Sequence, residues 1–229
     1  FLEILQGFGV NAVAMPMRED GEIDLVGLER LLSQFESAGN LDKIKALYLV
    51  SYFSNPSGHC VSEKVKSDIG SLLSRQKAPI AVIEDAAYRE LYYQHPFESR
   101  STVVLESFNQ LPVLYTSTLT KPYASGLKVG YAYCSDTKWL NSMLSVKGKQ
   151  DFGTANFAQA ILEYALASGR FDTHLTSLRA LFQLKMVTLH ESLADSLKSL
   201  GWEWEEPKGG LYLWLKSPNE MRTDGESQF

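Results

Sequence analysis

Three apolar runs without alternation constrain this chain more than anything else in it: Ala46–Val50, residues 80–83 and residues 113–115. A strand with one wet face alternates polar and apolar residues, so an unbroken run predicts a strand covered on both faces, as in a parallel sheet. Helical periodicity fills the gaps. Leu25, Leu28, Leu32 and Phe35 follow Asp24, and Val65, Ile69, Leu72 and Leu73 follow Ser62. Asp and Ser are strong N-caps, and Pro79 stops the second pattern. Strand and helix therefore alternate, which predicts an α/β fold with a mainly parallel central sheet flanked by helices.

Outside this region, Phe1, Leu2, Leu5 and Phe8 stand at helical spacing until Gly9, and residues 10–15 read as a strand. Phe157, Ile161, Tyr164, Ala165 and Ser168 line a helix that Gly169 ends. Apolar residues then recur every three or four positions from Leu175 to Leu200, predicting a long amphipathic helix that bridges two domains. Residues 202–206 and 211–215 read as a hairpin around Pro207, Lys208, Gly209 and Gly210. The expected division is a large domain over 1–175, and the bridging helix with the start of a small C-terminal α+β domain over 176–229. Phe1 in place of a Met, and a polar stretch from Met221 to Phe229 that closes no element, suggest an excerpt cut at both ends.

Charge excludes one class of partner. A net charge of −5 and a pI near 5.5 leave no basic face for nucleic acid on this segment. No apolar run reaches the length of a membrane span. Two cysteines, Cys60 and Cys134, make neither a disulfide framework nor a zinc cluster, and fit a reducing cytoplasm. His59, His95, His174 and His190 share no ligand spacing, so no metal is expected.

Chemistry-bearing side chains follow the ends of the three apolar runs: Asn55, Asp85, and Thr118 with Lys121. In open α/β sheets ligands bind at such strand ends, which open onto a crevice. Singly each residue has a plainer reading. Asn55 before Pro suits a turn, Asp85 a helix cap, Tyr88 the edge of the core, and lysines are mostly surface charges. Together, an amide, a carboxylate and an amine at one sheet edge suit imine chemistry on an aromatic cofactor. There a lysine forms the Schiff base, a carboxylate pairs with a pyridinium nitrogen, and nearby hydroxyls hold a phosphate.

These residues resemble a known family. Asn55-Pro56-Ser57-Gly58, then Asp85-Ala86-Ala87-Tyr88, then Ser117 through Lys121 with Gly126-Leu127-Lys128-Val129-Gly130, are similar to the fold-type I pyridoxal-phosphate enzymes and most of all to the class I/II aminotransferases. Pro207-Lys208-Gly209-Gly210-Leu211-Tyr212 resembles the hairpin of that family's small domain. The resemblance implies pyridoxal 5'-phosphate as cofactor, an amino acid and a 2-oxo acid as substrates, and a homodimer with a shared active site. It implies that Lys121 holds the cofactor and moves the substrate proton, and that Asp85 pairs with the ring nitrogen. Asn55 and Tyr88 would bind the phenolic oxygen. Thr118, Thr120 and Lys128 would bind the phosphate, and Phe1 would stack on the ring. Lys128 and Thr118 depart from the family's usual Arg and Ser; a lysine keeps the charge but loses the bidentate fork.

The implied activity is amino-group transfer. A carbon–sulfur lyase on the same scaffold, and the aminotransferase-like sensor domain of a transcriptional regulator, are the alternatives the motifs leave open.

Overall fold

The computed structural model describes residues 2–219. The helices are α1 (Leu2–Gly7), α2 (Leu25–Ser37), α3 (Glu63–Ser74), α4 (Thr137–Gln150), α5 (Asn156–Ala167) and α6 (Arg170–Leu197). The strands are β1 (Ala46–Val50), β2 (Ala81–Asp85), β3 (Val113–Thr118) and β4 (Gly130–Cys134). They form one sheet in the order β1-β2-β3-β4. β1/β2 and β2/β3 are parallel, with Val50 opposite Asp85 and Asp85 opposite Thr116, whereas β3/β4 is antiparallel. The sheet is thus mixed, and the three parallel strands end at a common edge.

Local chemistry explains the helix starts. The Asp24 carboxylate accepts from Gly27 N at 3.0 Å, the Ser62 hydroxyl from Val65 N at 3.3 Å and the Asp136 carboxylate from Trp139 N at 2.6 Å. Each satisfies an amide that the helix itself leaves unpaired. Gly169 and Gly201 adopt positive φ at the ends of α5 and of the short 3-10 turn after α6. The predicted long helix is present, but starts five residues earlier than its apolar pattern, at Arg170.

The main core lies between the sheet and α2 and α3. Leu28, Leu32, Ile69, Leu72 and Leu73 pack on Leu47, Leu49, Val82 and Val113. Each such side chain contributes about 1.5–3 kcal/mol on leaving water. A second cluster joins Tyr52, Phe53, Ala86, Tyr88, Leu91 and Tyr115 to Phe171 and Leu175 of α6.

Several expectations need correction. β1 is not covered evenly on both faces: Leu47 and Leu49 are buried while Ala46 and Tyr48 face outward. An all-apolar strand can still be half-wet, because Ala and Tyr tolerate partial exposure. Residues 10–15 are not a strand; only Met17 and Ile23 form a bridge there, since a strand needs a ladder partner whatever its composition. The C-terminal hairpin reduces to a single rung, Glu203 with Lys216. Helix α4 lies in a stretch with weak periodicity and was not anticipated, although Asp136 is a strong N-cap. The polar stretch from Met221 lies outside the described residues.

Candidate active site

The parallel strands deliver their polar exits to one edge. Asp85 closes β2, and its carboxylate is held on both oxygens. Oδ1 accepts from Ala87 N at 2.9 Å and Oδ2 accepts from the Tyr48 hydroxyl at 2.6 Å. Tyr48 is two residues before Val50, the register partner of Asp85, so it lies diagonally across from Asp85 on the same face. Burial first, and then the Asp85 carboxylate, push the Tyr48 phenol far above the ordinary tyrosine range. It is a donor at any working pH.

Three residues on, Tyr88 is buried with 7% exposure. Burial and then the Tyr212 phenol push its own phenol up to about 12, and the Asn55 amide opposes them. The Tyr88 and Tyr212 rings meet edge to face at 5.9 Å. The Lys121 ammonium lies 4.7 Å from the centroid of the Tyr88 ring. Asn55, Tyr88, Lys121 and Tyr212 thus come from four separate segments to one place beside Asp85.

Asn55 is carried by a turn with unusual backbone. Phe53 has φ 44°, the Asn55–Pro56 peptide is cis, and Gly58 N donates to Ser54 O at 2.7 Å. Phe53 N also donates to Cys60 Sγ at 3.1 Å. Burial pushes that thiol up to about 11. Tyr212 arrives because the Gly209-Gly210 turn docks on the same region: Gly210 N donates to Leu91 O at 2.8 Å and Tyr93 N to Lys208 O at 3.0 Å. A Cβ on Gly209 would come within 2.7 Å of the Phe53 ring, so this approach requires glycine.

The loop around Lys121 is closed by its own hydroxyls. Thr118 Oγ1 donates to Val129 O at 3.2 Å and accepts from Thr120 N at 3.0 Å, while Thr120 Oγ1 donates to Val129 O at 3.4 Å. Ser117 Oγ donates to Ala86 O at 3.2 Å, tying β3 to the Asp85 turn. Lys128 is exposed, with φ 53°. The structure therefore gathers Lys121, Asp85, Tyr88 and Asn55, and sets Thr118, Thr120 and Lys128 on the adjoining loop. Phe1 lies outside the described residues.

Helix α6 braces both loops. His174 Nε2 donates to Tyr123 O at 2.9 Å, two residues past Lys121, and Tyr123 stacks on Phe171 at 5.4 Å. Arg179 donates from Nε to Glu90 O at 2.8 Å and from Nη2 to the Glu90 carboxylate at 3.1 Å, and sits 3.6 Å over the Tyr92 ring.

Sequence reasoning missed Tyr48, Tyr212, His174 and Arg179 as neighbours of the site, and also a buried pair beneath it. Lys66 Nζ of α3 meets Glu84 Oε1 at 3.0 Å, and both side chains have 0% exposure. Glu84 Oε2 accepts from Ser101 Oγ at 2.5 Å and from Thr102 N and Oγ1 at 2.8 Å. Lys66 Nζ also donates to Tyr52 Oη at 3.1 Å and Arg100 O at 3.0 Å. Burial pushes the Lys66 ammonium below its ordinary range. Burial alone would raise the Glu84 carboxyl, but Lys66 and the Ser101 hydroxyl outweigh it and hold the group low. One signal was available: Glu84 directly precedes Asp85, so on a strand it must face the opposite side, into the core.

The donor set at this sheet edge fits pyridoxal 5'-phosphate: an amine, a carboxylate fixed by its neighbours, a phenol with an amide, and a loop of hydroxyls with a lysine. Comparison with known proteins agrees. The kynurenine aminotransferase of Pyrococcus horikoshii superimposes with a TM-score of 0.82 at 25% identity, covering 96% of this chain and 53% of that one, and its structure holds PMP and kynurenine. Aromatic-amino-acid aminotransferase 1 of Thermococcus litoralis is 25% identical over 228 residues, 97% of this chain and 52% of that protein. The HTH-type transcriptional regulator NorG of Staphylococcus aureus is 26% identical over 213 residues, 93% of this chain and 44% of the regulator. The chain spans about half the length of the curated relatives it matches. The structural neighbours have the fold-type I architecture, which this chain shares. The model of the family described as aminotransferase class I and II matches residues 1–228, and the chain belongs to that family.

Proposed function

We propose that the protein containing this chain is a pyridoxal 5'-phosphate-dependent aminotransferase that moves an amino group between an amino acid and a 2-oxo acid. The observation that carries this reading is the Lys121 ammonium lying 4.7 Å over the Tyr88 ring, at the sheet edge where Asp85 closes β2. When bound, the cofactor supplies an aldehyde that captures amines and a pyridinium ring that accepts the electron pair left on Cα. Lys121 is the covalent anchor and, once released, the base that carries the substrate proton. Asp85 holds a proton on the ring nitrogen, an opposite charge favouring the protonated ring. Asn55 and Tyr88 bind the phenolic oxygen. Lys128 serves the phosphate as a point charge without a fork, and Thr118 and Thr120 serve it once their hydroxyls turn to it from Val129 O.

In this reading residues 1–175 belong to the large domain and 176–229 begin the small one, and a homodimer completes the site. The names of the S. aureus relatives support a second reading, an aminotransferase-like sensor domain of a transcriptional regulator.

One experiment tests the assignment and separates the two readings. The full-length protein is loaded with pyridoxal phosphate, reduced with borohydride and mapped. Label on Lys121, with repeated turnover of an unreduced sample given both an amino acid and a 2-oxo acid to accept the amino group, supports the aminotransferase. Label on Lys121 without turnover, together with DNA binding by the full-length protein, supports the regulator. Label on another lysine, or none, overturns the site.

A further inference from the structure

We propose that Tyr48 is a positioning residue that acts through Asp85, fixing the carboxylate so that its remaining lone pairs face the cofactor ring nitrogen. The inference rests on the proposed use of pyridoxal phosphate and adds a residue to it.

A carboxylate at the end of a strand is free to rotate about its terminal torsion, which has a broad, roughly twofold profile. Asp85 is held against that rotation at two points. Ala87 N–H binds Oδ1 at 2.9 Å, and the Tyr48 hydroxyl binds Oδ2 at 2.6 Å. The first tie belongs to the turn after β2 and travels with Asp85. The second comes from β1, and so references the carboxylate to the rigid sheet. The neighbouring hydroxyl on β3 is committed elsewhere: Thr116, the register partner of Asp85, donates to Glu84 O at 3.4 Å. An ionised carboxylate has about four lone-pair sites. Two taken by fixed donors leave the others with a set direction, as a hydrogen bond to a ring N–H requires.

β1 is itself anchored below the site. Leu47 and Leu49 alternate with Tyr48 and are buried in the main core, and the strand's exit at Tyr52 is held by the Lys66 ammonium. Tyr48 is 36% exposed, so its hydroxyl can be removed without opening a core cavity.

The test is a double-mutant cycle in the full-length protein, with Tyr48→Phe, Asp85→Asn and the pair together, read by equilibrium pyridoxal-phosphate affinity and by the rate of the first half-reaction. Tyr48→Phe should weaken cofactor affinity about tenfold, equivalent to about 1.4 kcal/mol. In the Asp85→Asn background the same change should have no further effect, because the charge it orients is gone. Tyr48→His, which keeps a ring donor, should fall between. Thermal melting of the cofactor-free variants reports whether they fold. An unchanged affinity in Tyr48→Phe overturns the proposal, and so does an equal loss in both backgrounds, which marks a packing role. Wild-type protein that takes up no pyridoxal phosphate overturns the proposed function and this inference with it. Wild-type uptake with an indifferent Tyr48→Phe overturns the inference alone.

Discussion

Lys66 and Glu84 form an ion pair at 3.0 Å with no solvent exposure on either side chain, one residue before the carboxylate that closes β2. The pair ties α3 to β2 and, through Tyr52, Ser101 and Thr102, to the exits of two loops. Removing one partner leaves a buried charge without compensation, whereas removing both leaves mainly unpaired hydroxyls and amides. Lys66→Met should therefore destabilise the fold by about 3–5 kcal/mol. Lys66→Met with Glu84→Leu should cost less than the sum of the single changes, with a coupling of about 0.5–3 kcal/mol. Denaturant unfolding of the four proteins measures this, and strict additivity contradicts it.

Asp85→Ala should leave some cofactor bound through Lys121 but slow the first half-reaction on the order of a hundredfold to a thousandfold, the loss of a preorganised charge. Stopped-flow absorbance with an amino acid reads it directly. A wild-type rate in this variant removes Asp85 from the ring nitrogen.

The close approach of the C-terminal turn is testable by adding one methyl group. A Cβ on Gly209 would lie 2.7 Å from two atoms of the Phe53 ring and 2.9 Å from Leu91 O. Gly209→Ala should cost about 1–3 kcal/mol. It should also move Tyr212 relative to Tyr88, visible as an altered titration of the buried Tyr88 phenol. Gly148→Ala, with open space at its Cβ, is the control.

Acid should weaken one surface tie in a defined window. The Arg100 guanidinium and backbone N–H hold the Glu63 carboxylate, pulling it from 4.5 to about 2. Since the folded state binds this proton less tightly than the unfolded state, the tie contributes fully above pH 4.5 and is lost as pH falls toward about 2. The denaturation midpoint of wild type should drop over that interval more than that of Glu63→Gln. Parallel curves would contradict the assignment.

Cys60 should be chemically quiet in the folded protein. With its thiol raised from 9.0 to about 11, the reactive thiolate at pH 8 is scarcer by about a hundredfold. Iodoacetamide labelling in a Cys134→Ser background should accelerate on denaturation by about that factor.

Much of the site was legible from spacing. Asn55, Asp85 and Lys121 follow apolar runs whose parallel order could be inferred, and the parallel sheet does bring those exits to one edge. The short-range signals also held: Asp24 and Ser62 cap as their residue types suggest, and Gly169 and Gly201 terminate helical segments. Residues 10–15 failed because β composition does not create a strand without a partner. The start of α6 at Arg170 lay ahead of its apolar pattern because Gly169, at positive φ, resets the backbone directly after α5.

The sequence by itself determined the alternation of α2, β1, α3, β2 and β3, the caps at Asp24 and Ser62, and which chemistry-bearing residues leave which strand, because periodicity and capping act over a few neighbouring residues. The tertiary structure alone decided that Tyr48 meets Asp85, that Tyr212 meets Tyr88, and that Lys66 is buried against Glu84. The first depends on strand register, the second on a turn of two glycines lying close against Phe53, and the third on helix α3 turning Lys66 inward while Lys64 faces solvent. Each is a long-range contact whose energy comes from burial and geometry, and none of the three is written in the spacing of residues along the chain.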